Sequence, residues 1–158
     1  MYNRILVPID GSETAARGLQ EAIRFAADQK AQIRIVHVVD EFVMVSPYSV
    51  VAENVIESLC TAGKSVLANA HEIAQAAGAS ADTQLIEAFG SAAGEHVVKA
   101  AKDWAADIIV CGTHGRRGLR RIVLGSDAEY LVRHAPVPIL LVRAVSATAP
   151  RRPPDRLA

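Results

Sequence analysis

The sequence predicts an α/β fold, a three-layer α/β/α sandwich in which helices cover both faces of a five-stranded parallel sheet. Three observations carry this. Short β-branched runs alternate with longer stretches of helical period, the pattern of crossover units that build parallel sheets. All but one of the strand candidates are nearly all apolar, as strands buried on both faces are; a one-sided sheet would alternate apolar with polar. The chain has 158 residues, 51% of them hydrophobic, which is about the size of one domain with a substantial core.

The first strand is Ile5 to Ile9. Helix one follows over Ser12 to Lys30, with Ala16, Leu19, Ile23 and Phe25 to Ala27 at roughly helical spacing and Asp10 or Ser12 able to cap its first turn. The second strand is Ile33 to Val39. Asp40 to Val50, with Pro47, matches neither period and is read as a long loop over one end of the sheet. Helix two runs from Val51 to Ala77 and stops at Gly78, a residue that readily takes the left-handed conformation ending many helices. A weaker third strand spans Thr83 to Ala88, a third helix Ala92 to Trp104, and a fourth strand Ile108 to Cys111. The last helix begins at Gly125-Ser126 and ends before Pro136, because a residue preceding proline disfavours helical geometry. Pro138 to Val142 is the fifth strand. Residues 1–143 thus read as one domain and 144–158, rich in Ala, Pro and Arg, as a flexible tail unable to bury enough apolar surface to order itself.

Composition narrows the function classes. Seventeen basic and seventeen acidic residues cancel, so no bulk charge draws the chain to nucleic acid or an anionic membrane, and any anion site must be local. Cys60 and Cys111 form neither a zinc framework nor a disulfide scaffold, which fits a reducing cytosol. The chain opens directly on a strand, without the pattern of a signal peptide, and no apolar run approaches the roughly 20 residues of a membrane helix. A cytoplasmic, soluble protein is expected.

In an open parallel sheet, ligands bind beyond the carboxyl ends of the strands where the strand order reverses. Strand one ends at Pro8-Ile9-Asp10-Gly11-Ser12 and strand four at Cys111-Gly112-Thr113-His114-Gly115-Arg116-Arg117-Gly118. A reversal between these two strands, as in the order 3-2-1-4-5, puts both loops in one crevice. The second loop is glycine-rich and leads to Gly125-Ser126 at a helix start, so backbone N–H groups and the positive helix end can converge on phosphate oxygens. Arg116, Arg117, Arg120 and Arg121 add local positive charge suited to a polyphosphate. The spacing matches neither the dinucleotide fingerprint nor the P-loop.

The spacing is Gly112, two residues, Gly115, nine residues, Gly125, then Ser126. This resembles the ATP-binding motif of the universal stress protein family, G-x2-G-x9-G-[ST]. The resemblance extends from Ile5-Leu6-Val7-Pro8-Ile9-Asp10-Gly11-Ser12 through His37-Val38-Val39-Asp40 to Ala135-Pro136-Val137-Pro138-Ile139-Leu140-Leu141-Val142. It implies an adenine nucleotide alpha hydrolase-like, Rossmann-like fold. It also implies that Pro8 and the backbone around Val38 frame an adenine, with Asp10 near the ribose. Gly112, Thr113, His114, Gly115 and Arg116 would lie against the phosphates, closed on the far side by Gly125, Ser126 and the N–H of Asp127. ATP is the implied ligand, with magnesium as its plausible companion. The family further implies a homodimer through the last strand, Pro138 to Val142, whose apolar edge seeks pairing. Asp127 departs from the pattern: beside a triphosphate its carboxylate repels, or helps hold a metal.

Plainer roles compete with these. Asp10 and Ser126 can simply cap helices, loop arginines are commonly solvated, and no residue is evident to orient His114 for acid-base work. His37 reads as part of the end of strand two, and His71, His96 and His134 as helix-face residues. Cys111 reads as inert core. The function expected is a nucleotide-dependent stress-response or signalling module with an unnamed protein partner. The alternatives are a slow ATPase or self-phosphorylating enzyme using Ser126, Thr113 or His114, and a nucleotide-free structural or chaperone-like dimer.

Overall fold

The computed structural model describes residues 1–40, 51–88, 91–113 and 124–143. Past Asp40, the long loop expected up to Val50 lies outside the described residues, as do His114, Gly115, Arg116, Arg117, Arg120, Arg121 and the tail from 144 to 158. In chain order the elements are β1 (Arg4–Pro8), α1 (Glu13–Gln29), β2 (Gln32–Asp40), α2 (Val51–Ala76), β3 (Ser80–Ala88), α3 (Ala93–Asp103), β4 (Ile108–Gly112), α4 (Ser126–His134) and β5 (Ile139–Val142). The five strands form one sheet in the order β3-β2-β1-β4-β5, and every neighbouring pair is parallel.

The apolar inner strands β1, β2 and β4 are buried on both sides, which explains their lack of alternation, while β5 at the edge is half-buried. On one face Ile5, Val7, Ile33, Ile35 and Val110 pack with Leu19 and Ala22 of α1 and Leu67 and Ala74 of α2. On the other, Leu6, Val36, Ile109 and Cys111 pack with Val97, Val98 and Ala101 of α3 and Leu131 of α4. Successive residues of one strand thus serve two cores. The buried stripe of α1 is Thr14, Ala15, Gly18, Leu19, Ala22 and Ala26, so Ala16 and Ala27, expected inside, lie outside it. Small residues face the sheet here because α1 runs close to β4.

The caps are legible in local chemistry. Ser12 is the N-cap of α1, its hydroxyl accepting from the Ala15 N–H at 3.2 Å. Asp10 does not cap: its Oδ1 accepts from the Ser12 N–H at 2.9 Å, closing the turn before the helix. Gly78, with φ +75°, follows α2 in the left-handed region, as expected.

Strand β3 begins three residues before the expected Thr83, at Ser80. Ser80, Ala81 and Asp82 are poor strand formers, and the partner strand overrides them. Asp82 sits directly opposite Arg34 of β2, whose guanidinium binds its carboxylate through two bonds of 2.8 and 2.7 Å. The same guanidinium lies 4.7 Å from the centre of the Trp104 ring, so a residue of α3's end holds the pair from the side.

A second polar tie closes the same end of the sheet. Asp107 Oδ2 accepts from the Asn3 N–H at 2.7 Å and the Arg4 N–H at 2.9 Å, anchoring the start of β1 beside β4. These two backbone bonds, Asn3 first, hold the carboxyl below the usual carboxylate range. A carboxyl depressed in the folded state contributes stability that is complete above its unfolded pKa of about 4 and is lost as pH falls through its folded value. Asp107→Asn is therefore expected to be less stable than the parent at neutral pH, and the gap to narrow in urea titrations carried down from pH 5 to pH 2. A gap that stays constant over this range would rule out the linkage.

Candidate functional site

The strand order reverses between β1 and β4, because β2 continues the sheet on one side of β1 and β4 on the other. The register Leu6↔Ile109 places the end of β1, and the Asp10 turn that follows it, beside the end of β4. This is the crevice expected from sequence, and the order 3-2-1-4-5 is the observed one. Among the described site residues, Pro8, Asp10, Gly112, Thr113, Gly125, Ser126 and Asp127 gather at this rim, with Val38 near the end of the adjoining β2.

The two ends of the glycine motif meet. Gly125 donates its N–H to the Thr113 carbonyl at 3.0 Å, and Thr113 donates its own N–H to the Val142 carbonyl at 2.9 Å. Gly125 is therefore held to the tip of β4 through Thr113, and Thr113 to the tip of β5. From Gly125 the chain enters α4 directly. Gly125 is the N-cap, in extended geometry (φ −64°, ψ 152°), and no side chain among the described residues caps the helix. Among the described residues the N–H groups of the first turn thus have no side-chain acceptor, the arrangement in which a helix start receives an anion. Ser126 is exposed beside them.

Gly112 has a reason that sequence reading did not supply. A side chain there would meet Thr14 C at 2.8 Å, Thr14 Cβ at 2.9 Å and Ala15 N at 3.0 Å. The body that approaches Gly112 so closely is the first turn of α1. The glycine lets α1 seat on β4, and through that contact it sets the Asp10–Ser12 turn against the tip of β4.

Asp127 also has a structural partner. Its Oδ1 accepts from the Gly94 N–H at 3.3 Å, linking the first turn of α4 to the first turn of α3. The carboxylate expected to disturb or ligate at the phosphate site is engaged sideways. Gly94 itself admits Tyr130 of α4, whose Cβ stands 3.0 Å from where a side chain would begin. The two helix starts are therefore packed together at one rim.

His37 was legible only as a strand residue. Buried to 7% exposure, it places Nδ1 2.7 Å from the Ile9 carbonyl, so Nδ1 carries the proton and donates. Ile9 in turn donates its N–H to the Val36 carbonyl at 2.8 Å, so the residue before Asp10 is held on both sides. Gly63 of α2 makes room for the imidazole: a side chain there would come within 2.7 Å of His37 Cδ2. No signal short of the fold could have joined residues 9, 37 and 63.

The remaining expectations are simple to place. Cys111 is buried, and burial pushes its thiol up to about 12, so it is inert core. His71 and His134 bond to the carbonyls of Ala81 and Tyr130, and His134 also stacks on Tyr130. His96 lies 2.6 Å from the Ser91 hydroxyl, a pairing that a helix-face reading missed. No described helix is long and apolar enough to cross a membrane.

A family model described as the universal stress protein family matches residues 1–143. A universal stress protein of Methanocaldococcus jannaschii is 34% identical over 148 residues, covering 90% of this chain and 83% of its own length. Among solved structures, one from the universal stress protein family of Burkholderia pseudomallei is 33% identical with a TM-score of 0.75, over 90% of this chain and 97% of its own. Another, the universal stress protein of Archaeoglobus fulgidus in complex with dAMP, is 25% identical with a TM-score of 0.65, over 89% of this chain and 98% of its own.

Proposed function

Because the chain belongs to the universal stress protein family, we propose that it is an adenine-nucleotide-binding module, with ATP as its ligand. The observation that carries this reading is the junction of Thr113 with Gly125, which delivers an α-helix start without a side-chain cap to the switch point of the sheet. A phosphate there would accept from the N–H groups of Ser126 and Asp127 and from the Ser126 hydroxyl. The segment from Gly112 through Thr113, His114, Gly115 and Arg116 would lie along the other phosphates. Pro8 and the Val38 backbone would border the adenine, and Asp10, already oriented by the Ser12 N–H, would face the ribose.

The dAMP complex of the A. fulgidus relative supports a nucleotide in this fold, in a protein 25% identical to this one. Magnesium would enter with the phosphates. Among the described residues no group of three or more metal-ligating side chains is present, so its ligands would be mainly phosphate oxygens and water. The protein would act as a homodimer through β5. Ile139 to Val142 form a half-buried sheet edge, and Val132 on the adjacent α4 is 54% exposed, so apolar surface is concentrated where a second copy would add its strand. Binding would then change which partners or states the dimer favours through differential affinity.

The expected result is that titration calorimetry of nucleotide-free protein with ATP and magnesium gives saturable binding at one site per chain. Sedimentation of the same sample should give a dimer. Absence of heat and of any nucleotide released on denaturing fresh protein would instead favour the nucleotide-free structural dimer.

A further inference from the structure

The backbone ladder between β1 and β2 stops one bond early. In a parallel pair, a residue donates its N–H to the residue before its partner and accepts from the residue after it. The register Pro8↔Val36 sets Ile9 opposite His37. Ile9 makes the first of its two bonds, donating to the Val36 carbonyl at 2.8 Å. The second would run from the Val38 N–H to the Ile9 carbonyl. Among the described residues it does not form, and β1 ends at Pro8. The Ile9 carbonyl is taken instead by His37 Nδ1–H at 2.7 Å.

The fold makes room for this substitution of a side-chain donor for a backbone one. A side chain at Gly63 of α2 would meet His37 Cδ2 at 2.7 Å and Nε2 at 3.2 Å, so only glycine there lets the ring reach back to Ile9. The consequence falls on Val38. In a parallel ladder the N–H and C=O of one residue point to the same side, and residues two apart point alike. The Val36 carbonyl faces β1, so the N–H and C=O of Val38 face the same way, past the end of β1 and beside the Asp10 turn. Val38 is half-buried, and backbone groups withdrawn from water take partners. A base that sets an acceptor next to a donor satisfies both groups. Adenine does so with N1 and its N6 amino group, whereas hypoxanthine and guanine carry hydrogen at N1 and oxygen at C6.

We propose that His37 is a positioning residue for base selection: by holding the Ile9 carbonyl, it keeps the Val38 N–H out of the ladder and available to the N1 of adenine. The inference rests on the nucleotide-binding reading above and assigns that site's preference for adenine to a residue that does not touch the ligand. His37 acts through Ile9 and Val38.

His37→Asn and His37→Leu have nearly the same shape and differ in the donor, so the pair separates the hydrogen bond from the volume. Full chains of the parent and both variants are titrated calorimetrically with ATP and with inosine triphosphate, each with magnesium, and the Val38 amide is followed by hydrogen exchange without nucleotide. In the parent this amide is expected to exchange fast and to gain protection when ATP is added. In His37→Leu, where the released Ile9 carbonyl can take it, it is expected to be protected without nucleotide. ATP should bind about tenfold more weakly to His37→Leu, the scale of one hydrogen bond, with inosine triphosphate unchanged, and His37→Asn should keep the parent's preference. Equal weakening of both nucleotides, the mark of a merely structural role, overturns the proposal, as does a Val38 amide already protected in the nucleotide-free parent. If neither nucleotide binds the parent, the nucleotide-binding reading fails and base selection with it, while the exchange rates still decide whether His37 opens the ladder.

Discussion

Gly112→Val is expected to destabilise the fold by about 3 kcal/mol, the upper end of what overpacking a core usually costs. In a domain of this size that lowers the thermal midpoint by roughly 10 °C. The obstacle is backbone: Thr14 C at 2.8 Å and Ala15 N at 3.0 Å belong to the first turn of α1 and cannot swing away as a long side chain would. Relief requires α1 to lift from β4, which loosens Leu19, Ala22 and Ala26 from the core they share with Val110. Gly78→Ala is the control. Gly78 has positive φ but nothing within 4 Å of a new side chain, so its cost is backbone strain of about 1 kcal/mol. Thermal unfolding of both variants checks the contrast. If Gly112→Val melted no lower than Gly78→Ala, the close seating of α1 would not be a source of stability.

Ser126→Pro is expected to weaken ATP about 100-fold while leaving the fold intact. Two donors to phosphate are lost, the Ser126 N–H and its hydroxyl, and hydrogen bonds to a charged group are worth about 1.5–3 kcal/mol each. Proline is favoured at the first position of a helix, where its missing N–H is spare. Gly125 already has the extended geometry (φ −64°, ψ 152°) that a residue before proline prefers. Ser126 is exposed, and the bond to the Thr113 carbonyl uses the Gly125 N–H, so the substitution does not disturb it. Ser126→Ala, which keeps the N–H, should lose about tenfold, as one such bond is removed. Calorimetry with an unchanged melting curve reads the effect. Affinity equal to the parent in Ser126→Pro would mean that no phosphate rests on the start of α4.

Much of the candidate site was legible because its signals are local. Gly125 before Ser126, a glycine-rich stretch at the tip of a buried strand, and the Asp10–Ser12 turn each follow from a few neighbouring residues. The structure adds protein contacts that the sequence did not show: Gly112 admits α1, and Asp127 reaches α3. His37 and the Ser91–His96 pair were overlooked for related reasons. His37 meets the Ile9 carbonyl only after β1 and β2 align. His96 lies close to Ser91 in sequence, but its periodicity resembles that of any helix surface.

The sequence by itself determined the elements, their parallel arrangement between two helical layers, and the strand tips on which a ligand site could form. Hydrophobic period, caps and turn residues act over a few positions, so they can be read without knowing what lies opposite. Only the tertiary structure decided how far β3 extends, where the missing side chain of Gly112 is needed, and which way Asp127 turns. Each of these is set by a contact between residues from 33 positions apart, as for Gly94 and Asp127, to 48, as for Arg34 and Asp82, or more. Local chemistry limits such contacts, but which of them form depends on how the layers pack.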